Sequence, residues 1–300
     1  KPDIVSICPR WLSEHRDMVM AAAERGIHIY MEKPMARSLE EADQMVRACE
    51  KQNTKFAIAF QTRYSPRLRV IRELMDDGKI GEVLEFRGRG KEDARRGGGE
   101  DLWVLGTHIM NLIHYLGGAP RWCAASVRQE GHPITRADVV EGAEGIGPLA
   151  GDTVHAMYGL DDDKTAYFAS RRGAGNARFG LQIFGSEGAI EVRTGSLPDA
   201  FLLADPTWSP GKSGAKWVPI TSAGVGRPEP LPDRSAHFGN KLACHDLIAS
   251  IEEDRQPEAN LYEARTTLEM IAGVFESQRL GRRVSLPLEN RRNPLAMLPM

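Results

Sequence analysis

Residues 4–78 alternate short apolar runs with segments of helical periodicity three times over, and that alternation leaves few folds open. Ile4-Val5-Ser6-Ile7-Cys8 is an apolar run stopped by Pro9, the pattern of a strand covered on both faces. His15, Met18, Val19, Ala22 and Ala23 then recur at helical spacing, with Gly26 as the expected stop. A second run, 27–31, ends in Glu32-Lys33-Pro34 and leads into another helix. Ser38 and Glu41 form a capping box for it, and Ala42, Met45, Val46 and Cys49 its buried stripe. A third strand, 55–60, precedes a helix that Ser65-Pro66 opens, that carries Leu68, Ile71, Leu74 and Met75, and that Gly78 ends. The order predicts a parallel sheet with right-handed crossovers, and hence a doubly wound α/β domain.

Parallel sheets bind ligands outside the carboxyl ends of their strands. Three such ends are readable, at Cys8-Pro9-Arg10, Glu32-Lys33-Pro34 and Gln61-Thr62-Arg63-Tyr64, which makes Arg63 and Tyr64 candidate ligand contacts. Pro34 disfavours helical geometry at Lys33, so the lysine is expected to extend into the crevice. The alternative is an exposed lysine ahead of a helix-starting proline.

The pattern changes from Gly81. Val83 to Gly90 reads as a strand, with Leu84 and Phe86 on one face and Glu85, Arg87 and Arg89 on the other. Lys91, Arg95 and Arg96 continue the basic character into Gly97-Gly98-Gly99. One helix is then expected, with Leu102, Leu105, Ile109, Leu112, Ile113 and Leu116 on a stripe and Gly117-Gly118 at its end. Strand-like runs follow at 121–128, 152–160, 164–171, 179–184 and 188–193, separated by Gly- and Pro-rich loops at 141–151 and 205–233. Two helices, near 235–254 and 262–280, precede a last strand at 283–286. Many antiparallel strands with few helices predict an open sheet covered on one face. The expected division is 1–78 and 79–300.

In the predicted helix, Asp101, Val104, His108 and Asn111 share a stripe flanking the apolar one. His108 reads either as a hydrogen-bonded boundary residue or as a functional one. The preceding glycines, with Arg89, Lys91, Arg95 and Arg96 leading into them, suggest an anion or polyol site at a helix N-terminus. A solvated strand face is the alternative for the arginines.

Composition narrows the partners. A formal net charge of -2 gives no electrostatic case for nucleic acid. No apolar stretch approaches the roughly 18 residues of a membrane span. The 4 cysteines are scattered without a CxxC pair, which argues against a disulfide framework or a zinc site and fits a cytoplasmic protein. No strand-G-x-G-x-x-G-helix unit is present, and the chain opens at Lys1-Pro2-Asp3 directly before a strand. The expectation is a fragment, with a phosphate-binding βαβ unit lying before Lys1.

Residues 27–46, "IHIYMEKPMARSLEEADQMV", with "CPRWLSEH" upstream and "GGGEDLWVLGTHIMNLIHYLGG" downstream, resemble the glucose-fructose oxidoreductase/inositol dehydrogenase (Gfo/Idh/MocA) family. The closing "RTTLEMIAGVFESQRLGRRVSLP" is similar to that family's last helix and strand. The resemblance implies a Rossmann domain binding NAD or NADP, here truncated, followed by an α+β domain with a large open sheet. It also implies oxidation or reduction of a sugar, polyol or related compound, and self-association through the open sheet. By the same resemblance, Lys33 matches the lysine between nicotinamide and substrate, and His108 the acid/base histidine. Pro9, Arg10, His15, Glu32 and Pro34 line the nicotinamide half, and Asn111 matches a substrate-side residue. The family's helix usually reads Asp-x-Gly-x-His, whereas this chain has Val104 in place of the aspartate. Asp101 lies two turns from His108, about 10 Å along a helix axis, and is expected to cap the helix instead. Three functions stay open: a nicotinamide-dependent dehydrogenase, an NAD-dependent glycoside hydrolase or lyase of the same fold, and a non-catalytic ligand-binding member.

Overall fold

The computed structural model describes residues 1–175 and 178–299. Its first part is a three-stranded parallel sheet of β1 (Ile4–Ile7), β2 (His28–Met31) and β3 (Phe56–Ile58), in that order. The crossovers are α1 (His15–Ala23) and α2 (Leu39–Lys51), as the alternation predicts. Ser38 Oγ accepts from the Glu41 amide at 3.2 Å, but the Glu41 carboxylate binds Arg37 rather than closing the box. Met18, expected in the buried stripe of α1, is 41% exposed. Helix α3 (Pro66–Asp76) starts at Ser65, whose Oγ accepts from the Arg67 amide.

The larger sheet has 11 strands. It begins with β4 (Val83–Arg89), after which come α4 (Gly99–Val104) and α5 (Gly106–Gly117). Strands β5 (Trp122–Gln129), β6 (His132–Pro133), β7 (Val140–Glu141), β8 (Pro148–Leu149), β9 (Thr153–Gly159), β10 (Thr165–Arg171), β11 (Gly180–Gly185), β12 (Ala189–Arg193) and β13 (Ala200–Leu203) follow. The chain continues through α6 (Pro210–Ser213), β14 (Val218–Thr221), β15 (Gly224–Val225), α7 (Phe238–Glu252), α8 (Leu261–Leu280) and β16 (Val284–Ser285). The order β15-β14-β13-β12-β11-β4-β10-β9-β5-β16 is antiparallel except where β10 runs parallel to β4, while β6 adds to β5 and β7 pairs only with β8. Residues 141–151 and 205–233, read as loops, therefore contain short strands. Runs of two to four residues interrupted by glycine or proline hold too few alternations to register as strands.

Helices α5 and α8 cover one face of this sheet, against β4, β11 and β5. Alternation along β9 buries Val154, Ala156 and Tyr158 beneath them and turns Met157 outward, 36% exposed. Leu84, expected on the buried face, is 40% exposed. Helix α8 also reaches β3, and α7 packs on β2 and β3, so the end of the chain returns to the first sheet. Asn260 caps α8 through Oδ1 and bridges to Ala57 of β3.

Candidate functional site

The parallel register, Ile7 beside Met31 and Met31 beside Ile58, brings the three carboxyl ends to one rim. His15, 2% exposed at the start of α1, reaches back to that rim. Its Nδ1 lies 3.0 Å from the Pro34 carbonyl oxygen and its Nε2 3.1 Å from that of Pro9. One imidazole thus ties together the turns that follow β1 and β2. The Lys33-Pro34 peptide is cis, and the Lys33 amide donates to Glu32 Oε2.

The lysine side chain crosses to the helical segment of the second sheet, where Nζ donates to the Val104 carbonyl at 2.8 Å. This acceptor exists because the expected single helix breaks at Leu105, whose φ/ψ of -120°/-39° separates α4 from α5. Across the break the His108 amide bonds to Leu105 O rather than to the Val104 carbonyl an uninterrupted α-helix would use, which leaves Val104 O for the lysine. Burial lowers the Lys33 pKa, with the positive charge of Arg96 acting in the same direction.

His108 is 6% exposed, with the edge of its ring against Phe60. Burial first, and the Lys33 charge second, push its pKa down to about 3, so the ring is neutral at ordinary pH. Its Nδ1 is buried with no hydrogen-bond partner among the described residues. A neutral imidazole with a spare nitrogen beside a cation is suited to exchanging a proton with a bound hydroxyl.

Several expected contacts point elsewhere. Arg63 is committed to Glu263 at 2.5 Å and lies over the Tyr115 ring, while the Tyr64 hydroxyl donates to Asp246 and accepts from the Ala259 amide. Both fasten the first sheet to α7 and α8. Arg89 pairs with the fully buried Glu92, which also holds Arg178. Asn111 donates to Thr267 of α8, with its Oδ1 left unpaired. Asp101 does not cap a helix: its Oδ2 accepts from Ser170 Oγ and the Glu92 amide, and burial raises its pKa.

The triple glycine is no flexible cradle either. A Cβ at Gly97, Gly98 or Gly99 would lie 2.3, 2.5 or 2.1 Å from backbone atoms of residues 150–172. The amides of all three are spent on Asp93 O, Ser170 Oγ and Gly151 O. These glycines permit close backbone packing. Lys91 precedes this packed loop with its amide turned to Asp101. Of the basic group Arg96 and Arg95 approach the rim: Arg96 donates to Glu144 at 2.5 Å, and the more exposed Arg95 lies 4.0 Å from the same carboxylate.

Glu144 escaped the sequence reading, and it occupies the centre of this side of the site. It accepts from Arg10 at 2.7 Å as well as from Arg96. The only local sign is its setting between Gly142, Gly145 and Gly147.

Comparison with known proteins agrees with this architecture. Residues 1–60 match the model of an oxidoreductase family with an NAD-binding Rossmann fold, and residues 68–191 match the GFO/IDH/MocA C-terminal domain. Levoglucosan dehydrogenase of Pseudarthrobacter phenanthrenivorans is 27% identical over 80% of this chain and 68% of its own length. The NADP-dependent D-xylose 1-dehydrogenase of Haloarcula marismortui is 30% identical, but over only 39% of this chain and 37% of its own. A levoglucosan dehydrogenase solved with NADH and levoglucosan superposes with a TM-score of 0.73 at 21% identity, covering 95% of this chain and 80% of that one. An NAD-binding oxidoreductase from Klebsiella pneumoniae gives 0.75 at 20% identity, covering 96% and 81%. At such identities the structural likeness establishes the fold, while the two family models, one on each part, establish the lineage: the chain belongs to the Gfo/Idh/MocA family of oxidoreductases.

Proposed function

We propose that the protein is a nicotinamide-dependent oxidoreductase acting on a hydroxyl or keto group of a sugar, polyol or related compound, with Lys33 and His108 at the reacting centre. The observation that carries this is the pairing of a half-buried lysine with a buried, neutral histidine whose Nδ1 has no partner. Structural histidines satisfy their ring nitrogens, so a vacant one next to a cation is matched to a ligand. The same orphaned nitrogen, at the carboxyl edge of a parallel sheet, fits a nicotinamide cofactor, NAD or NADP, with Pro9, Arg10, Glu32 and Pro34 along its approach. When bound, the nicotinamide supplies or accepts hydride. His108 takes up the hydroxyl proton in its neutral form, and Lys33 exchanges its carbonyl acceptor for the reacting oxygen and stabilises the charge developing there.

In this scheme residues 1–78 form the cofactor side and 79–300 the substrate side. The relatives' names support a carbohydrate-like substrate. Self-association through the open sheet is supported by Met157 and Tyr167, each at least 36% exposed on β9 and β10. Among the described residues no helix is long and apolar enough to cross a membrane. The free cysteines support the cytoplasmic part of the reading. The direct test is full-length protein with NAD or NADP and a panel of sugars and polyols, read by nicotinamide absorbance. Substrate-dependent reduction is expected. Glycoside cleavage without accumulated reduced cofactor would move the assignment to a lyase or hydrolase, and binding without either change would remove the enzymatic reading.

A further inference from the structure

Strands β7 and β8 form a hairpin arm, Val140 paired with Leu149 and Glu141 with Pro148, whose tip carries Glu144 at a φ of 59°. The tip crosses from the large sheet's side to the rim of the small one, and Gly145 lies so close to Ser13 that an added Cβ would approach its Oγ to 2.7 Å. There, one carboxylate oxygen serves two walls of the crevice. Glu144 Oε1 accepts from Arg10 Nε at 2.7 Å, after β1, and from the Arg96 guanidinium at 2.5 Å, before α4. Burial pushes the Glu144 pKa up, but the two guanidiniums hold it below the usual carboxylate range.

The position of this contact matters because Lys33 and His108 are covered. Lys33 feels the charges of both Arg96 and Glu144, so the ion pair at the arm's tip lies near it. A ligand reaching His108, 6% exposed, requires something above it to move. The arm's tip has the means to move: glycines at 142, 145 and 147 flank the carboxylate, and Arg10 is 68% exposed, where ion pairs are weak. Lifting it takes from Arg10 its carboxylate partner and leaves Arg96 with Glu100 at 3.4 Å. Two guanidiniums converging on a vacated oxygen position constitute an oxyanion site.

We propose that Glu144 is the resident occupant of an oxyanion site formed by Arg10 and Arg96, and that an anionic group of the incoming ligand displaces it and opens the hairpin arm. This rests on the oxidoreductase reading for the ligand's identity but not for the latch itself. The displacing oxygen comes either from a dinucleotide phosphate or from a sugar carboxylate, and the two sources separate experimentally.

Glu144→Gln, Arg10→Ala and the double variant of the full-length protein would be titrated calorimetrically with NAD, NADP, glucose and glucuronate. Hydrogen exchange of residues 140–149 would be followed in parallel. Relieving the competition is expected to tighten anionic ligands by about three- to tenfold in Glu144→Gln and to speed exchange in the arm. Tightening of the dinucleotides identifies the phosphate, and tightening of glucuronate without glucose identifies the carboxylate. Arg10→Ala, an exposed truncation that leaves no core cavity, should loosen the arm and cancel the gain in the double variant. Equal affinities for all probes in folded Glu144→Gln, or unchanged exchange in Arg10→Ala, would overturn the proposal. A latch that opens in a protein reducing no cofactor with any sugar would sink the oxidoreductase reading and leave the latch standing.

Discussion

His15 and His108 have the same side chain and nearly the same burial, 2% and 6% exposed, yet they sit in opposite chemical situations. His15 has a backbone carbonyl within hydrogen-bond distance of each ring nitrogen and joins two turns of one sheet. His108 leaves Nδ1 without a partner and sits where a cation from the other sheet arrives. Burial by itself therefore does not mark a functional histidine here. In the proposed reading the state of the ring nitrogens does, because an unmatched buried polar atom costs about 1–3 kcal/mol unless a ligand matches it.

The largest expected effect is on turnover at His108. His108→Asn should lower kcat by about two to four orders of magnitude, the range for a lost general acid/base. It should not lower the Tm. The unfolded ring titrates near 6.5 and the folded one near 3, so the wild-type protein loses stability as pH falls through that window. The variant should lose less, and a steeper acid decline in its Tm would break the comparison. Lys33→Ala comes next, with turnover down about a hundredfold or more and the Tm within a few degrees, because the side chain bonds a carbonyl at the crevice rather than filling the core. Near-wild-type turnover would remove Lys33 from the mechanism.

His15→Ala should act on folding, at about 1–3 kcal/mol, by removing the ring packed between the Pro9 and Pro34 carbonyls and the N–H it donates to one of them. Chemical denaturation measures this, and a glutamine that restores one bond should recover part of it. The family resemblance places His15 against the cofactor. If that contact dominates, dinucleotide affinity will fall while stability holds. The smallest effect is expected from Val104→Asp. A carboxylate beside His108 favours the protonated ring, which moves the acid limb of the kcat/KM profile to higher pH. An unmoved limb in a folded variant would mean that His108 is not the group titrating.

The first sheet was legible because each strand is an apolar run and each helix carries a start or stop signal, as at Ser38, Ser65 and Gly26. That Lys33 leaves its strand-end turn toward the segment bearing His108 was legible through motif and resemblance. The helix break was not, because the apolar stripe runs through Leu105 without interruption, and only Gly106, packed against Phe168, hints at it. Arg63 and Tyr64 misled because a residue at the right rim can face either the ligand or the next helix, and their partners Glu263 and Asp246 lie some two hundred positions away. Glu144 could not be found for the same reason: its meaning comes from Arg10 and Arg96, on two other segments.

The carbonyl that holds Lys33 belongs to the main chain, and no substitution can delete it. Position 104 is thus relieved of any duty to anchor the lysine, and its side chain answers mainly to the volume available, since Val104 is 6% exposed. A library of replacements at 104 should then sort by size and not by polarity in how well they preserve the lysine's placement. Proline at 105 or 108, which alters the backbone itself, should do the damage that no side chain at 104 can. The lineage's customary aspartate becomes, in this protein, an adjustable accessory on a fixed backbone support.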